Sequence, residues 1–169
     1  MDTLTAIHTR RSIRKYTDQP VTPEQVRTLL AAAMAAPSAG NQQPWQFVVV
    51  TDKDLLAQVG LLHPHVHMAP KAPLGILVCG DTRAEKYAGY WVVDCSAAVQ
   101  ILLLADHDLV LGAVWTGIHP MRDREEAFAR LFNTPAGVIP HSFIPIGHPA
   151  EEKKRDDRFK AERIHQNSF

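Results

Sequence analysis

The sequence predicts one domain that contains both helices and strands, and three observations support this. A chain of 169 residues is long enough to bury one substantial hydrophobic core. Several segments repeat apolar residues at helical spacing, and short apolar runs between them, such as residues 47–50, are typical of buried strands. Because no linker-like stretch or internal repeat divides the chain, residues 1–169 are expected to form a single domain.

The first half of the chain alternates helical and strand patterns. Asp2 is predicted to cap a short helix that carries Leu4 and Ile7 on one face. Thr22, Pro23 and Gln25 form a capping box with proline at the first helical position, and Pro37 is predicted to end the helix that follows. Three further elements are predicted: a buried strand over residues 47–50, a helix over 55–62 and a strand over 74–79.

The second half contains the longest predicted helix, over residues 87–107, which is apolar nearly all round and is therefore expected to be buried on most sides. One candidate for the surface that buries this helix is a second copy of the chain. A strand over 111–115 and an amphipathic helix over 123–132 follow. The last strand, over 138–146, contains Pro140 and Pro145, so it is expected to be an edge strand or a bulged one.

The bulk composition excludes several classes of protein. There are 18 basic and 18 acidic residues, whereas a general nucleic-acid binder needs a basic excess. The sequence contains no run of about 18 apolar residues, which a membrane span would need. Residues 1–6 are too short and too polar for a signal peptide. The expected location is the cytoplasm, where Cys79 and Cys95 would be reduced and buried.

A basic cluster is the first candidate site. Arg10, Arg11, Ser12 and Arg14 fall where a predicted helix gives way to an extended segment. Guanidinium groups match phosphate oxygens and also stack on flat rings, so the cluster is suited to an anionic or aromatic ligand. A solvated basic patch on the surface is the alternative.

Two further segments have the composition of ligand-binding loops. In residues 37–45, Ser38 and Asn41 offer polar groups, Ala39 and Gly40 leave room, and Trp45 can anchor the loop in the core. A helix stop followed by an ordinary turn is the alternative. Residues 112–117 end in Thr-Gly and can present backbone N–H groups to a ligand, although an ordinary core strand with a turn has the same pattern.

These motifs together resemble the nitroreductase family. The run Arg10-Arg11-Ser12-Ile13-Arg14 is similar to the family's Arg-Arg-Ser-x-Arg, and residues 37–45 are similar to its Pro-Ser-x-x-Asn-x-Gln-Pro-Trp. Residues 114–117 and 158–167 resemble the short members of the family. The resemblance covers essentially the whole chain and implies an α+β fold, with a central mixed β-sheet flanked by helices, in an intertwined homodimer. It also implies that the charged residues 149–169 form a tail that packs on the partner subunit.

The resemblance implies FMN at two sites in the dimer interface, held by residues of four segments. The first segment holds the phosphate, the ribityl chain and the pyrimidine end, and the second reaches the flavin of the other subunit. The third lines the isoalloxazine near its reactive edge, and one arginine of the fourth completes the phosphate site. In this order the residues are Arg10, Arg11, Ser12 and Arg14; Pro37, Ser38, Ala39 and Asn41; Trp115, Thr116 and Gly117; and Arg155 or Arg158. The chain departs from its short relatives at Val110, where they often carry glycine.

The implied activity is hydride transfer from NADH or NADPH to N5 of FMN and then to a small electron acceptor such as a nitroaromatic or a quinone, in a ping-pong scheme. No side chain acts as a nucleophile, because the hydride chemistry belongs to the cofactor. A flavin-binding, storage or regulatory protein is the alternative outside enzymes. A dehalogenase or a flavin-fragmenting enzyme of the same fold is a second alternative, for which this short chain leaves little room for a lid.

Three alternating histidines, His63, His65 and His67, raise the question of a metal site. An extended segment would place them on one side, but a metal centre usually needs a third or fourth ligand and outer-shell partners. The favoured interpretation is a mobile loop that borders the substrate opening. His119 is expected either near the same opening or in a structural role.

Overall fold

The computed structural model describes residues 1–154 and 157–169. A five-stranded sheet has the order β1-β2-β5-β3, with β4 also paired to β5. The strands are β1 (Trp45–Val50), β2 (Leu74–Asp81), β3 (Gly112–Ala113), β4 (Thr116–Gly117) and β5 (Val138–Gly147). The helices are α1 (Thr3–Thr9), α2 (Pro23–Met34), α3 (Lys53–Leu62), α4 (Trp91–Asp108) and α5 (Arg122–Phe132). The predicted α+β class is confirmed; all strand pairs among the described residues are antiparallel.

The sheet separates two hydrophobic clusters, because successive side chains of a strand point to opposite faces. Ile76 and Val78 of β2 lie in the cluster that α2 and α4 cover. Leu77 and Cys79 of the same strand lie in the cluster that α3 and α5 cover. The domain therefore has three layers, with helices on both faces of the sheet.

The predicted helix starts are confirmed where a capping side chain marks them. Asp2 accepts a hydrogen bond from the backbone N–H of Thr5 at 3.0 Å. Thr22 and Gln25 form both halves of the capping box at the start of α2. The helix over 87–107 instead begins four residues later, at Trp91, and Tyr90 at its N-cap position makes no side-chain capping bond.

Helix α4 is packed on one side only within the chain. Leu102 and Leu103 are buried in the core, whereas Val93 keeps 62% of its surface exposed. Ala97 and Leu104, one and three turns further along the same face, are half-buried. The packing of this face against a second copy stays a prediction.

The prediction of a strand over residues 111–115 is wrong in extent. Only Gly112 and Ala113 form β3, and Thr116 and Gly117 form the separate strand β4. Both pair with β5 in one continuous register, and the gap between them falls opposite Ile144 and Pro145. Proline has no N–H to donate to a neighbouring strand, which accounts for a break at this point.

The strand that contains the two prolines is central rather than an edge strand. It pairs with β2 on one side and with β3 and β4 on the other. The alternative, a bulge, is confirmed: Val78 pairs with Ser142 and Cys79 with Pro140, so His141 is the extra residue. The strand predicted over 47–50 lies at the edge of the sheet instead of in its interior, with Val49 exposed.

The start of the charged tail lies against the N-terminal segment of its own chain. Tyr16 and Pro149 form a bridge, and the backbone N–H of Ala150 donates to the carbonyl of Lys15 at 2.9 Å. Phe159 and Ile164 further along are 72% and 60% exposed. The packing of the tail on a partner subunit stays a prediction.

Among the described residues, no helix is both long enough and apolar enough to cross a bilayer.

Candidate functional site

The basic cluster begins at the end of α1, as predicted. Arg10 ends the helix, and its backbone N–H donates to the carbonyl of Ala6 at 3.0 Å. Ile13 anchors the extended segment that follows: its N–H donates to the carbonyl of Ala113 at 2.9 Å, and its buried side chain lies over Gly112. A Cβ atom at Gly112 would come within 2.8 Å of Ile13. The cluster is thus fixed against β3 by an apolar contact that needs this glycine.

The tail returns to the same cluster and supplies further cations. Lys153 Nζ donates to the carbonyl of Ser12 at 2.6 Å, and Arg11 Nε donates to the carbonyl of Lys154 at 3.0 Å. The backbone N–H of Arg14 donates to the Glu151 carboxylate at 2.6 Å. These contacts hold the tail beside the arginines.

Together the two segments line an open cavity of about 350 Å³. All but one of its lining residues are cationic; they are Arg10, Arg11, Ser12, Arg14, Lys153, Lys154 and Arg158. Such a set of guanidinium and ammonium donors suits a phosphate group. The structure therefore brings Arg158 to the predicted cluster, whereas Arg155 lies outside the described residues. In the sequence, the basic run at 153–155 was the feature that could have indicated Lys153 and Lys154 as part of this cavity.

The turn between β3 and β4 lines a second cavity, of about 270 Å³, next to the first. Trp115 is partly exposed, and Thr116 is buried with its hydroxyl donating to the carbonyl of Phe143 at 2.6 Å. Apart from its two chain neighbours, no described residue has an atom within 4 Å of where a Cβ of Gly117 would be, so the backbone faces open space there. Arg14 lines both cavities and connects the basic cluster to this turn.

The loop over 37–45 has a conformation fixed by positive φ angles and by local hydrogen bonds. Gly40, Asn41 and Gln43 have φ between 47° and 54°. The Ser38 hydroxyl accepts from the N–H of Gln43 at 3.0 Å, and the Asn41 side-chain oxygen accepts from the Gln43 amide at 3.1 Å. Trp45 is buried and anchors the loop, as predicted.

Asp94 is the residue that holds this loop, and the sequence analysis missed it. Its buried carboxylate accepts from the N–H of Ala39 at 2.9 Å and from the Gln42 amide at 2.6 Å. The oxygen of Gln42 accepts in turn from the N–H of Lys86 at 2.8 Å. An acidic residue in the first turn of α4, followed by a largely apolar stretch, was the signal that could have identified it.

The loop and the basic cluster do not meet within one chain. The loop is bound to Asp94 near the start of α4, whereas Arg10 is electrostatically coupled to the buried Asp106 near its end. Twelve residues of helix separate the two aspartates, which is about 18 Å along the axis. The cavities that Arg14 lines contain none of the loop residues. Completion of one ligand site by the loop of a second subunit stays a prediction.

The three histidines have unequal surroundings. His63 is buried, its Nδ1 accepts from the N–H of His65 at 3.2 Å, and burial together with the nearby Arg124 lowers its pKa to about 4. His65 and His67 line the second cavity beside the turn. No group of three potential metal-ligating side chains occurs in the part of the chain that the structure describes. The interpretation that two of the histidines border an opening is thus consistent with the geometry.

His119 does not line this cavity. Its ring meets Trp91 edge-on at 4.7 Å between centroids, and its Nδ1 lies 2.6 Å from the Glu125 carboxylate. Of the two predicted roles, the structural one fits these contacts.

Known proteins similar to this chain include nitroreductases and NADH dehydrogenases. The family model described as "Nitroreductase family" matches residues 7–62. The chain is 50% identical to a protein of Methanothermobacter thermautotrophicus named as a candidate NADH dehydrogenase/NAD(P)H nitroreductase, over 98% of this chain and 86% of that protein. It is 45% identical to an NADH dehydrogenase of Thermus thermophilus, over 97% of this chain and 95% of that one. A crystal structure of a candidate nitroreductase from Desulfovibrio desulfuricans in complex with FMN superposes with a TM-score of 0.86 at 35% identity, covering 100% of this chain and 99% of that one.

Proposed function

Because the chain belongs to the nitroreductase family, we propose that it is an FMN-dependent oxidoreductase that accepts hydride from NADH or NADPH. In this proposal the hydride passes in a second half-reaction to a small acceptor such as a nitroaromatic or a quinone. The observation that carries the proposal is the cationic cavity that the N-terminal segment and the tail form together. Its donors match a flavin phosphate, and the adjoining turn offers open space beside Gly117.

The residues divide the binding of FMN between them. Arg10, Arg11, Ser12 and Arg158 would hold the phosphate and the ribityl chain, because they share one cavity. Arg14 reaches from that cavity to the turn and would meet the pyrimidine end. Trp115, Thr116 and Gly117 would line the isoalloxazine.

The protein's part in the reaction is to orient FMN and its substrates, since bound FMN supplies the hydride chemistry. Arg14 places a positive charge beside the position of the ring, and such a charge favours the anionic reduced flavin. Gly117 keeps one face of the site open to a planar substrate, because no side chain occupies that space. Nicotinamide and acceptor would then use this opening in turn.

The second group of ligands would come from the partner subunit of a homodimer. Pro37, Ser38, Ala39 and Asn41 lie near the start of α4, away from the basic cluster of the same chain. A two-fold axis lets the loop of each subunit complete the site of the other. The half-covered face of α4 and the exposed tail offer surface for such an interface.

Anaerobic reduction of the FMN-loaded protein tests this function. Addition of NADH or NADPH should bleach the flavin absorbance, and initial rates against donor and acceptor should give parallel double-reciprocal lines. The matched control is free FMN at the same concentration, which sets the rate of uncatalysed reduction. A protein that binds FMN but bleaches no faster than this control would be a flavin carrier, and intersecting lines would contradict the ping-pong scheme.

A further inference from the structure

The cavity over the turn between β3 and β4 is one-sided in charge. Its ionisable lining groups are two arginines and two imidazoles, Arg14, Arg124, His65 and His67, with no carboxylate among the described lining residues. The whole chain has no net charge, so this bias is a property of the opening. The basic side chains at this opening differ from those of the phosphate cavity, with which only Arg14 is shared.

Among the basic residues of this cavity, Arg124 is the one whose side chain is hydrogen-bonded to the turn. It occupies the first turn of α5, where its N–H donates to the carbonyl of Met121 at 3.0 Å. Its Nη1 donates to the carbonyl of Gly117 at 3.1 Å. A guanidinium has five N–H donors, and within the described residues this is the hydrogen bond that its side chain makes. The remaining donors are available to a ligand beside Gly117.

The carboxylate that follows Arg124 on α5 and the carboxylate beside Arg14 are both engaged with other groups. Glu125, the next residue on α5, is 2.6 Å from His119. Glu151 accepts from the backbone of Arg14 at 2.6 Å and lies 3.4 Å from Lys153 Nζ. Neither carboxylate pairs with Arg124, so the positive charge of its guanidinium is not offset by an ion pair within the described residues.

We propose that Arg124, assisted by His65 and His67, selects electron acceptors that carry an anionic group such as a carboxylate. This inference rests on the proposed function, because it assigns a substrate class to the same opening. A neutral planar acceptor needs only the open face beside Gly117. An anionic substituent on that acceptor would gain a charge-assisted hydrogen bond from a guanidinium whose planar fork fits a carboxylate.

A pair of acceptors tests the proposal, one with a carboxylate and one with the neutral ester in its place: 4-nitrobenzoate and its methyl ester. Arg124→Gln should lower kcat/KM for 4-nitrobenzoate by about 10–100-fold, mainly through KM, which is the range expected for one hydrogen bond to a charged group. For the ester the change should be less than about 3-fold. Arg124→Lys should restore part of the preference, because it keeps the charge but loses the fork. The matched control is Arg130→Gln, an exposed arginine on the same helix.

Binding without turnover gives an independent measurement. Binding of benzoate and of benzamide can be followed by the change in absorbance of the oxidised flavoprotein, and benzoate should bind more tightly. Arg124→Gln should weaken benzoate binding by a similar factor of about 10–100. Reduction by NADH and reduction by NADPH should change by the same factor in Arg124→Gln, because both donors use this opening. A selective loss with NADPH would assign the cation to the extra phosphate of that donor and overturn the proposal.

Four other outcomes also separate the hypotheses. Equal losses with 4-nitrobenzoate and its ester would show that Arg124 only supports the turn, and no loss with either would remove it from the site. If the wild-type flavoprotein is bleached by NAD(P)H yet does not distinguish the two acceptors, the inference fails while the proposed function stands. If it is not bleached at all, the proposed function itself fails.

Discussion

Removal of the Asp94 carboxylate should loosen the loop over 37–45 without touching the basic cluster. The carboxylate is buried and accepts two hydrogen bonds, from Ala39 at 2.9 Å and from Gln42 at 2.6 Å. Each hydrogen bond to a charged group contributes about 1.5–3 kcal/mol. Asp94→Ala leaves both donors without an acceptor, so the free energy of unfolding should fall by about 3–5 kcal/mol.

The milder substitution Asp94→Asn isolates the interaction with Gln42. Asparagine can still accept from the N–H of Ala39 through its single oxygen, but its amide then opposes the amide of Gln42. Gln42 cannot simply rotate, because its oxygen already accepts from the N–H of Lys86. One charge-assisted bond is lost, so stability should fall by about 1.5–3 kcal/mol. FMN should also bind more weakly, since Ala39 and Asn41 would no longer be held in place.

Urea unfolding at a fixed protein concentration measures the first effect, because binding and association both contribute to apparent stability. Fluorescence titration with FMN measures the second. Glu126→Gln is the matched control: it removes an exposed carboxylate whose pair with Arg130 is 3.7 Å long and should change stability by less than about 0.5 kcal/mol. If Asp94→Asn matches this control in both measurements, Asp94 does not organise the loop.

Three further predictions concern single side chains. Arg14→Ala should weaken FMN binding by about 10–100-fold and make the flavin harder to reduce, with partial recovery in Arg14→Lys; unchanged affinity and potential, as expected of the control Arg130→Ala, would make it a surface charge. Val110 has φ of +58°, a conformation that costs about 1–2 kcal/mol for a residue with Cβ, so Val110→Gly should stabilise the protein by about 0.5–1 kcal/mol after the entropy of glycine is subtracted; a loss of stability in urea would contradict this. Burial lowers the pKa of His141 from 6.5 to about 4, so the unfolded state binds more protons between these values and wild type should lose about 2 kcal/mol from this group between pH 7 and pH 5. His141→Gln should abolish that part of the pH dependence, and an unaltered pH profile would show that His141 does not contribute to it.

The sequence predicted elements well where local chemistry determines them. The capping box of Thr22 and Gln25 marks the start of α2, and Pro37 follows its end closely. The prolines of β5 indicated an interrupted strand, and the bulge at His141 confirms that interpretation. The position of β5 in the centre of the sheet could not be predicted, since it depends on pairing with β2, which lies 57 to 72 residues earlier in the chain, as well as with β3 and β4.

The candidate site was predictable as two groups of residues but not as a geometry. The spacing of Arg10, Arg11 and Arg14 indicated an anion site, and the structure places the tail cations beside them. Asp94 escaped notice because an isolated acidic residue in an apolar helix has no sequence partner; Ala39 and Gln42 lie more than fifty residues before it. Arg124 was missed for a different reason: Gly117 is only seven residues away, but their contact exists only after α5 folds back onto the turn. The backbone of Val110 adopts a left-handed conformation, which favours glycine.

Subunit complementation tests the shared site most directly. One variant carries Arg10→Ala with Arg14→Ala, and the other carries Ser38→Ala with Asn41→Ala; each alone should lack activity. When the two are unfolded and refolded together, about half of random pairs are heterodimers with one of two sites intact, so activity should recover to roughly a quarter of wild type. Native mass spectrometry should confirm the heterodimers. Heterodimers that form without any recovery of activity would mean that both motifs serve the flavin of one subunit, and the proposed site would be wrong.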